Sequence, residues 1–192
     1  MARALVTGSQ DRVAAVAAVL GDKGVDVVTA SSGGDLDALD LTPGLDHYIQ
    51  LPVTVQPEGE NLVGRVRSFL SAGLIFRYAV TERILPVLND GASVVLVSGS
   101  TPQGAAALPD DKQSRLALLH VLAHACRAEV AGRGVRVGVV SGDRADTELV
   151  SYALNGGTDP SAALVREPIE AVSAKQYEDW RTEIMGLATD HV

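Results

Sequence analysis

The sequence predicts an α/β fold in which a doubly wound parallel sheet carries helices on both faces, in a three-layer α/β/α arrangement. The first observation is that short apolar runs of strand length alternate with segments whose apolar residues recur at helical spacing. The second is that most of these short runs are rich in valine, leucine and isoleucine, as is typical of strands buried on both faces of a parallel sheet. The third is that glycines follow two of the helical segments directly, where helices commonly end.

The N-terminal 30 residues predict one strand-helix-strand unit. Ala4–Thr7 is a short apolar strand, and Gln10–Leu20 carries apolar residues at helical spacing. Gly21 and Gly24 then end the helix before a second strand at Val25–Thr29.

The middle of the chain predicts a strand at Leu45–Leu51 and then helix over Glu60–Leu88, either one long helix or two joined near Gly73. The 15 residues of Ala30–Gly44 are too few for the helix, strand and helix that a full dinucleotide-binding half would place there. Asp35–Leu41 can form a short edge strand. The sheet is therefore expected to be shortened at this side.

The C-terminal half continues the alternation, and Gly132 and Gly134 mark the end of its long helix. We interpret the whole chain, 1–192, as a single Rossmann-like domain, with a less sharply predicted helical segment over 155–192. The predicted elements are a strand at Ser93–Val97, a helix at Asp110–Ala131, a strand at Val135–Val140, a short helix at Arg144–Leu154 and a terminal helix at Ile169–Leu187.

The composition argues against several classes of protein. The formal charge of −8 argues against binding to a nucleic-acid backbone. The single cysteine, Cys126, allows no intrachain disulfide, and its place in an apolar helical pattern favours a small buried residue over a reactive thiol. The apolar runs are far shorter than the roughly 20 residues that cross a bilayer, so we expect a cytoplasmic protein.

The stretch 85–147 carries a recognisable combination of features. A leucine-proline pair closes a helix, a buried strand ends in serines, and a long helix leads into GRGVRV and then SGDRADTEL. In these features the chain resembles the short-chain dehydrogenase/reductase family, most strongly over 85–147 and more weakly over most of its length. The resemblance implies a Rossmann-like fold that binds NAD(P) and reduces or oxidises a small substrate.

The loop after the first strand departs from the family's cofactor pattern, Thr-Gly-x-x-x-Gly-x-Gly. The chain keeps Thr7 and Gly8, but Arg12 and Ala14 occupy the next two glycine positions. Those glycines let backbone amides approach the pyrophosphate. If a cofactor binds, the candidates are Thr7, Gly8, Ser9 and Arg12, whose guanidinium suits phosphate; otherwise we expect Arg12 to be an exposed residue at a helix start.

The segment after the second strand lacks the charged residue that reads the adenosine ribose in dinucleotide-binding folds. Residues 29–32 are threonine, alanine and two serines. Asp35, Asp37 and Asp40 are candidates by composition alone. We therefore expect a reduced adenosine pocket and no bound cofactor, while NAD(P) binding through altered contacts stays open.

The family's proton relay is also changed. In the family a tyrosine transfers the proton, a lysine four residues later supports it, a helix asparagine often completes the relay, and a serine holds the carbonyl oxygen. Aligned with this pattern, Lys112 stands in the tyrosine position, Leu116 in the lysine position and Gly73 near the asparagine position. Ser98 or Ser100 keeps the serine position. We expect conventional reductase activity to be lost.

A metal site is not expected. His120 and His124 are four residues apart on a predicted helix, a spacing that metal sites use. No third ligand accompanies them in the sequence, so we interpret them as surface or interface histidines.

Three functions are compatible with this pattern. The leading hypothesis is a pseudoenzyme subunit that forms a homo-oligomer, or a hetero-oligomer with an active relative, through the helices at 60–88 and 110–131, which are apolar on more than one face. The second is an NAD(P)-dependent oxidoreductase that uses Ser98, Ser100 or Lys112 in unusual chemistry. The third is a regulatory module that binds a small molecule.

Overall fold

The computed structural model describes residues 1–31, 33–42, 44–53, 58–99 and 109–156, and it describes their side chains except at 33, 34, 66, 69, 74 and 109–118. The terminal helix expected at Ile169–Leu187 lies outside the described residues. The single domain over 1–192 and the helical segment over 155–192 therefore stay predictions.

The described residues form a five-stranded sheet in the order β2-β1-β3-β4-β5, with every neighbouring pair parallel. This confirms the predicted parallel α/β architecture. The strands are β1 (Arg3–Thr7), β2 (Asp26–Ala30), β3 (Leu45–Gln50), β4 (Leu88–Val97) and β5 (Arg136–Val140). The helices are α1 (Gln10–Gly21), α2 (Gly33–Ala38), α3 (Leu62–Phe69), α4 (Phe76–Ile84), α5 (Pro109–Glu129) and α6 (Asp146–Asn155).

Helices cover both faces of the sheet, so the three-layer prediction is confirmed. On one face, α2, α4 and α5 contribute buried side chains such as Leu36, Ile84 and Leu122 to a core that includes Leu5 of β1. On the other face, α1 and α6 pack on the alternate residues of the same strands. Side chains of successive strand residues point to opposite faces, which is why one sheet supports two cores.

Two predicted elements need correction. The edge strand proposed for Asp35–Leu41 is wrong, because Gly33–Ala38 forms helix α2, which buries Leu36 in the core while its neighbours stay exposed. The strand predicted to start at Ser93 begins at Leu88, where it already pairs with Leu45.

The long helical stretch is interrupted where the sequence suggested. Helix α3 passes through a π turn at Leu70–Ile75 into α4, and a 3₁₀ turn at Leu85–Val87 follows. Gly73 lies inside the π turn, so the predicted break near this glycine is confirmed. Glycine destabilises a regular helix, and π turns are often found at such interruptions.

Cys126 lies on the inner side of α5 and is 1% exposed. Burial raises the pKa of its thiol to about 11, so the thiolate that would act as a nucleophile is scarce near neutral pH. This confirms the interpretation of Cys126 as a small buried residue. Within the described residues, no helix combines the length and the apolar character that a membrane span needs.

Candidate functional site

The carboxyl ends of the parallel strands share one edge of the sheet, where β1 ends at Thr7, β3 at Gln50, β4 at Val97 and β5 at Val140. The strand order reverses between β1 and β3, because β2 lies on one side of β1 and the later strands lie on the other. Ligands of open α/β sheets bind at such a switch point. The candidate site is therefore the edge beside Thr7 and Gln50.

The loop after β1 is bound tightly to its neighbours. The amide of Gly8 donates to the carbonyl of Ala30 at 3.3 Å, and the amide of Ser9 donates to the carbonyl of Pro52 at 3.1 Å. The Ser9 hydroxyl donates to the same carbonyl at 3.1 Å. These two amides face protein carbonyls at the end of the sheet. The structure thus brings Gly8 and Ser9 to the switch point, with their donors already used.

Arg12 lies in the first turn of α1 and reaches across to the loop after β5. Its Nη1 donates to the carbonyl of Gly142 at 2.7 Å, its Nη2 to the carbonyl of Arg144 at 3.1 Å, and its Nε to Asp146 at 3.3 Å. The side chain is 24% exposed. The expectation of an exposed arginine is therefore wrong, since all three guanidinium nitrogens join α1 to this loop.

A buried polar cluster joins α4 to the ends of β3 and β4. Arg77 donates through Nε to the side-chain oxygen of Gln50 at 2.9 Å and through Nη2 to the carbonyl of Val97 at 2.8 Å. The Gln50 amide nitrogen donates to the Tyr48 hydroxyl at 2.8 Å and to the Thr81 hydroxyl at 3.0 Å. This cluster was not predicted from the sequence. The available signal was that Arg77 lies at helical spacing from the core residues Val80 and Ile84.

Arg77 is 8% exposed. Burial lowers its pKa to about 10, while the nearby Tyr48 and Tyr78 oppose this shift. The group therefore stays positively charged at neutral pH. Burial also raises the pKa of Tyr48, so its hydroxyl stays neutral beside the cation. None of the ion pairs within the described residues includes Arg77.

A small open cleft lies at the switch point, on the side of the sheet covered by α2 and α4. Its cavity volume of about 10 Å³ is room for roughly one water molecule. The polar side chains that line it belong to Thr7, Ser31, Gln50 and Arg77, and the rest of its wall is apolar.

None of the residues aligned with the reductase relay is among the described residues that line this cleft. For some of them the structure describes no side chain. Ser98 is buried after β4, and its hydroxyl accepts a hydrogen bond from the Gly142 amide at 3.1 Å. Ser100 lies outside the described residues. Lys112 and Leu116 lie on α5, whose backbone alone is described there. Gly73 lies in the π turn.

Solved structures with the same fold include short-chain dehydrogenase/reductases. The protein lin1944 from Listeria innocua is 18% identical, with a TM-score of 0.54 over 73% of this chain and 77% of that chain. A short-chain dehydrogenase/reductase from Serratia marcescens is 17% identical, with a TM-score of 0.56 over 82% and 89%. A doubly substituted variant from the same species matches over 84% and 91%, at 17% identity and a TM-score of 0.56.

These likenesses confirm the predicted resemblance at the level of the fold, which is what identities this low can show. No protein-family model matches the sequence, and no curated protein matches it. The fold does not itself decide the activity, because one fold serves many chemistries.

Proposed function

We propose that this chain, which has the fold of short-chain dehydrogenase/reductase structures, is itself non-catalytic and acts as a subunit of an oligomer. The observation that carries the proposal is the position of Arg12. In dinucleotide-binding folds the pyrophosphate lies at the N-terminus of the first helix, where glycines leave its amides open. Here the Arg12 side chain stands in place of a glycine and is bound to Gly142, Arg144 and Asp146. A dinucleotide would have to break these contacts.

The chemistry of the reductase relay supports the same proposal. Lys112 and Leu116 replace the tyrosine and lysine of the resembled family, and leucine offers no group for a cofactor ribose or a proton. Of the two serines that can keep the serine position, Ser98 is 2% exposed, so its hydroxyl is not open to a substrate carbonyl, and Ser100 lies outside the described residues. We therefore propose a pseudoenzyme without bound NAD(P).

The subunit's role is proposed to be assembly, in the cytoplasm, with itself or with an active reductase of the same fold. Helices α4 and α5 cover the same face of the sheet, so their outer surfaces lie on one side of the domain. Ile75, in the π turn before α4, is 58% exposed, and Val121 on α5 is 62% exposed. Exposed apolar residues that cluster on one face are typical of protein interfaces. These elements belong to the predicted contact helices at 60–88 and 110–131.

Assembly is tested by size-exclusion chromatography with light scattering. We expect the wild-type chain to form a dimer or larger oligomer, or to bind an active reductase of this fold when the two are mixed. Ile75→Lys and Val121→Lys should each weaken the association at least about tenfold, because a lysine charge would be desolvated in the contact.

The matched control is Ala15→Lys, which adds the same charge at an exposed position of α1 on the opposite face. It should leave the association unchanged. A wild-type chain that stays monomeric at about 100 μM and binds no active reductase of this fold would contradict the assembly role.

A second candidate is favoured by the fold likeness to the Serratia marcescens short-chain dehydrogenase/reductase over 82% of this chain. In this case NAD(P) binds through altered contacts, and Ser98, Ser100 or Lys112 supports an unusual oxidation or reduction. This candidate requires Arg12 or its loop to move, because the present contacts use all three guanidinium nitrogens. Direct measurement of NAD(P) binding distinguishes this oxidoreductase candidate from the non-catalytic subunit.

A further inference from the structure

Helix α3 has apolar side chains that are open to solvent. Leu62 and Val63 in its first turn are 69% and 66% exposed, and Leu70, which directly follows α3, is 39% exposed. Val63 and Leu70 are seven residues apart, so they share one side of the helix. Among the described elements, α3 packs mainly against the π turn that continues it. These three residues, the α3 apolar patch, therefore have no covering helix or strand within the described part of the chain.

The segment just before α3 binds a different side of the helix. The amide of Gly64 donates to the side-chain oxygen of Asn61 at 2.9 Å, which caps the helix. The amide of Glu58 donates to the Ser68 hydroxyl at 3.1 Å. Gly64 and Ser68 are four residues apart and so share one side of the helix. The segment 58–61 thus contacts this side and leaves the α3 apolar patch exposed.

The two ends of α3 carry opposite charges. Glu60 lies two residues before the helix begins, and Arg67 lies in its last turn. Both side chains are exposed, and no ion pair within the described residues includes either of them. When two helices pack antiparallel, the start of one lies beside the end of the other. Two antiparallel copies of α3 would therefore bring opposite charges together twice, as a two-fold interface requires.

We propose that the α3 apolar patch binds a second copy of this chain, with the two α3 helices antiparallel and Glu60 of each copy beside Arg67 of the other. Apolar side chains at the centre and charged groups at the rim are the usual composition of a protein interface. This inference rests on the assembly role proposed above. It specifies the partner as a second copy and the contact as α3.

The proposal is tested by charge reversal, with self-association measured by sedimentation equilibrium. Glu60→Arg and Arg67→Glu should each weaken the association at least about tenfold, because like charges then meet at both symmetry-related contacts. An equimolar mixture of the two variants should regain the wild-type affinity. In the mixed dimer the two reversed charges face each other, and so do the two original charges.

Three further variants test the apolar contact and control for the change in net charge. Val63→Ser should weaken the association at least about fivefold, because the exposed valine contributes to the contact but little to the core. Asp22→Arg and Lys23→Glu make the same charge changes at exposed positions after α1, which packs on the face of the sheet opposite α4. These two variants should associate as tightly as the wild-type chain.

Four results would overturn the proposal. If the wild-type chain self-associates and neither charge reversal weakens it, the contact lies elsewhere and the assembly role stands. If both reversals weaken the association but their mixture stays as weak, the two charges do not pair between copies. If the chain binds an active reductase of this fold but not itself, the assembly role stands with a different partner. If it does neither at about 100 μM, the assembly role fails as well.

Discussion

Gly8→Ala is expected to lower the free energy of unfolding by about 3 kcal/mol or more, because it combines a steric clash with backbone strain. A Cβ atom at this position would lie 2.6 Å from the Cβ of Leu51 and 3.0 Å from its backbone carbon and oxygen. Gly8 also has a φ of +139°, which side chains rarely allow. Urea unfolding measures the loss directly.

Alanine variants at two other glycines distinguish the effect of the steric clash from the effect of the backbone strain. Gly24 has a φ of +76° but nothing within 4 Å of its Cβ position, so Gly24→Ala should cost only about 1 kcal/mol. Gly21 lies in α1 with open space around it, so Gly21→Ala should stabilise the chain by about 0.5–1 kcal/mol. If Gly8→Ala costs no more than Gly24→Ala, the close packing of the β1 loop against Leu51 is wrong.

Gln50→Leu is expected to cost about 3–5 kcal/mol, because it leaves the buried Arg77 guanidinium with one acceptor fewer and no compensating charge. The same change removes the donor that Gln50 provides to the hydroxyls of Tyr48 and Thr81. Leucine has nearly the volume of glutamine, so the loss comes mainly from polar groups left unpaired. The measurement is again the free energy of unfolding in urea.

A double-mutant cycle measures the coupling energy between Gln50 and the charged Arg77. Replacing both members of a buried polar pair by apolar residues is often nearly neutral, whereas replacing one leaves the other unpaired. Gln50→Leu combined with Arg77→Met should therefore be more stable than Gln50→Leu alone by about 2 kcal/mol. Losses that simply add in the double variant would show that the two side chains are not coupled as the structure places them.

Strands and helices could be predicted from local sequence patterns where most of their core-facing residues are apolar. The apolar runs of β1 and β5 and the helical spacing of α1 placed these elements close to their observed bounds. The start of β4 was missed because Asn89 and Asp90 are polar and exposed although they belong to the strand. Helix α2 was mistaken for a strand because it is short and buries a single leucine, Leu36, which creates no helical period.

The candidate site was harder to predict because its contacts join distant parts of the chain. The loop at Thr7, Gly8 and Ser9 could be placed, since it follows the first strand directly. The partners of Arg12 lie 130 or more residues away, so its half-buried position could not be read from the helix alone. Arg77 and Gln50 meet only when α4 packs on the strand ends, 27 residues apart in sequence.

We propose that the chain keeps the fold while its own residues occupy the place of the dinucleotide. Isothermal titration calorimetry with NADH and with NADPH tests this proposal. We predict no saturable binding of either cofactor up to about 1 mM, because Arg12 and the Gly8 and Ser9 amides are bound within the protein. Saturable binding of NADH or NADPH below that concentration would contradict the proposal and favour the oxidoreductase instead.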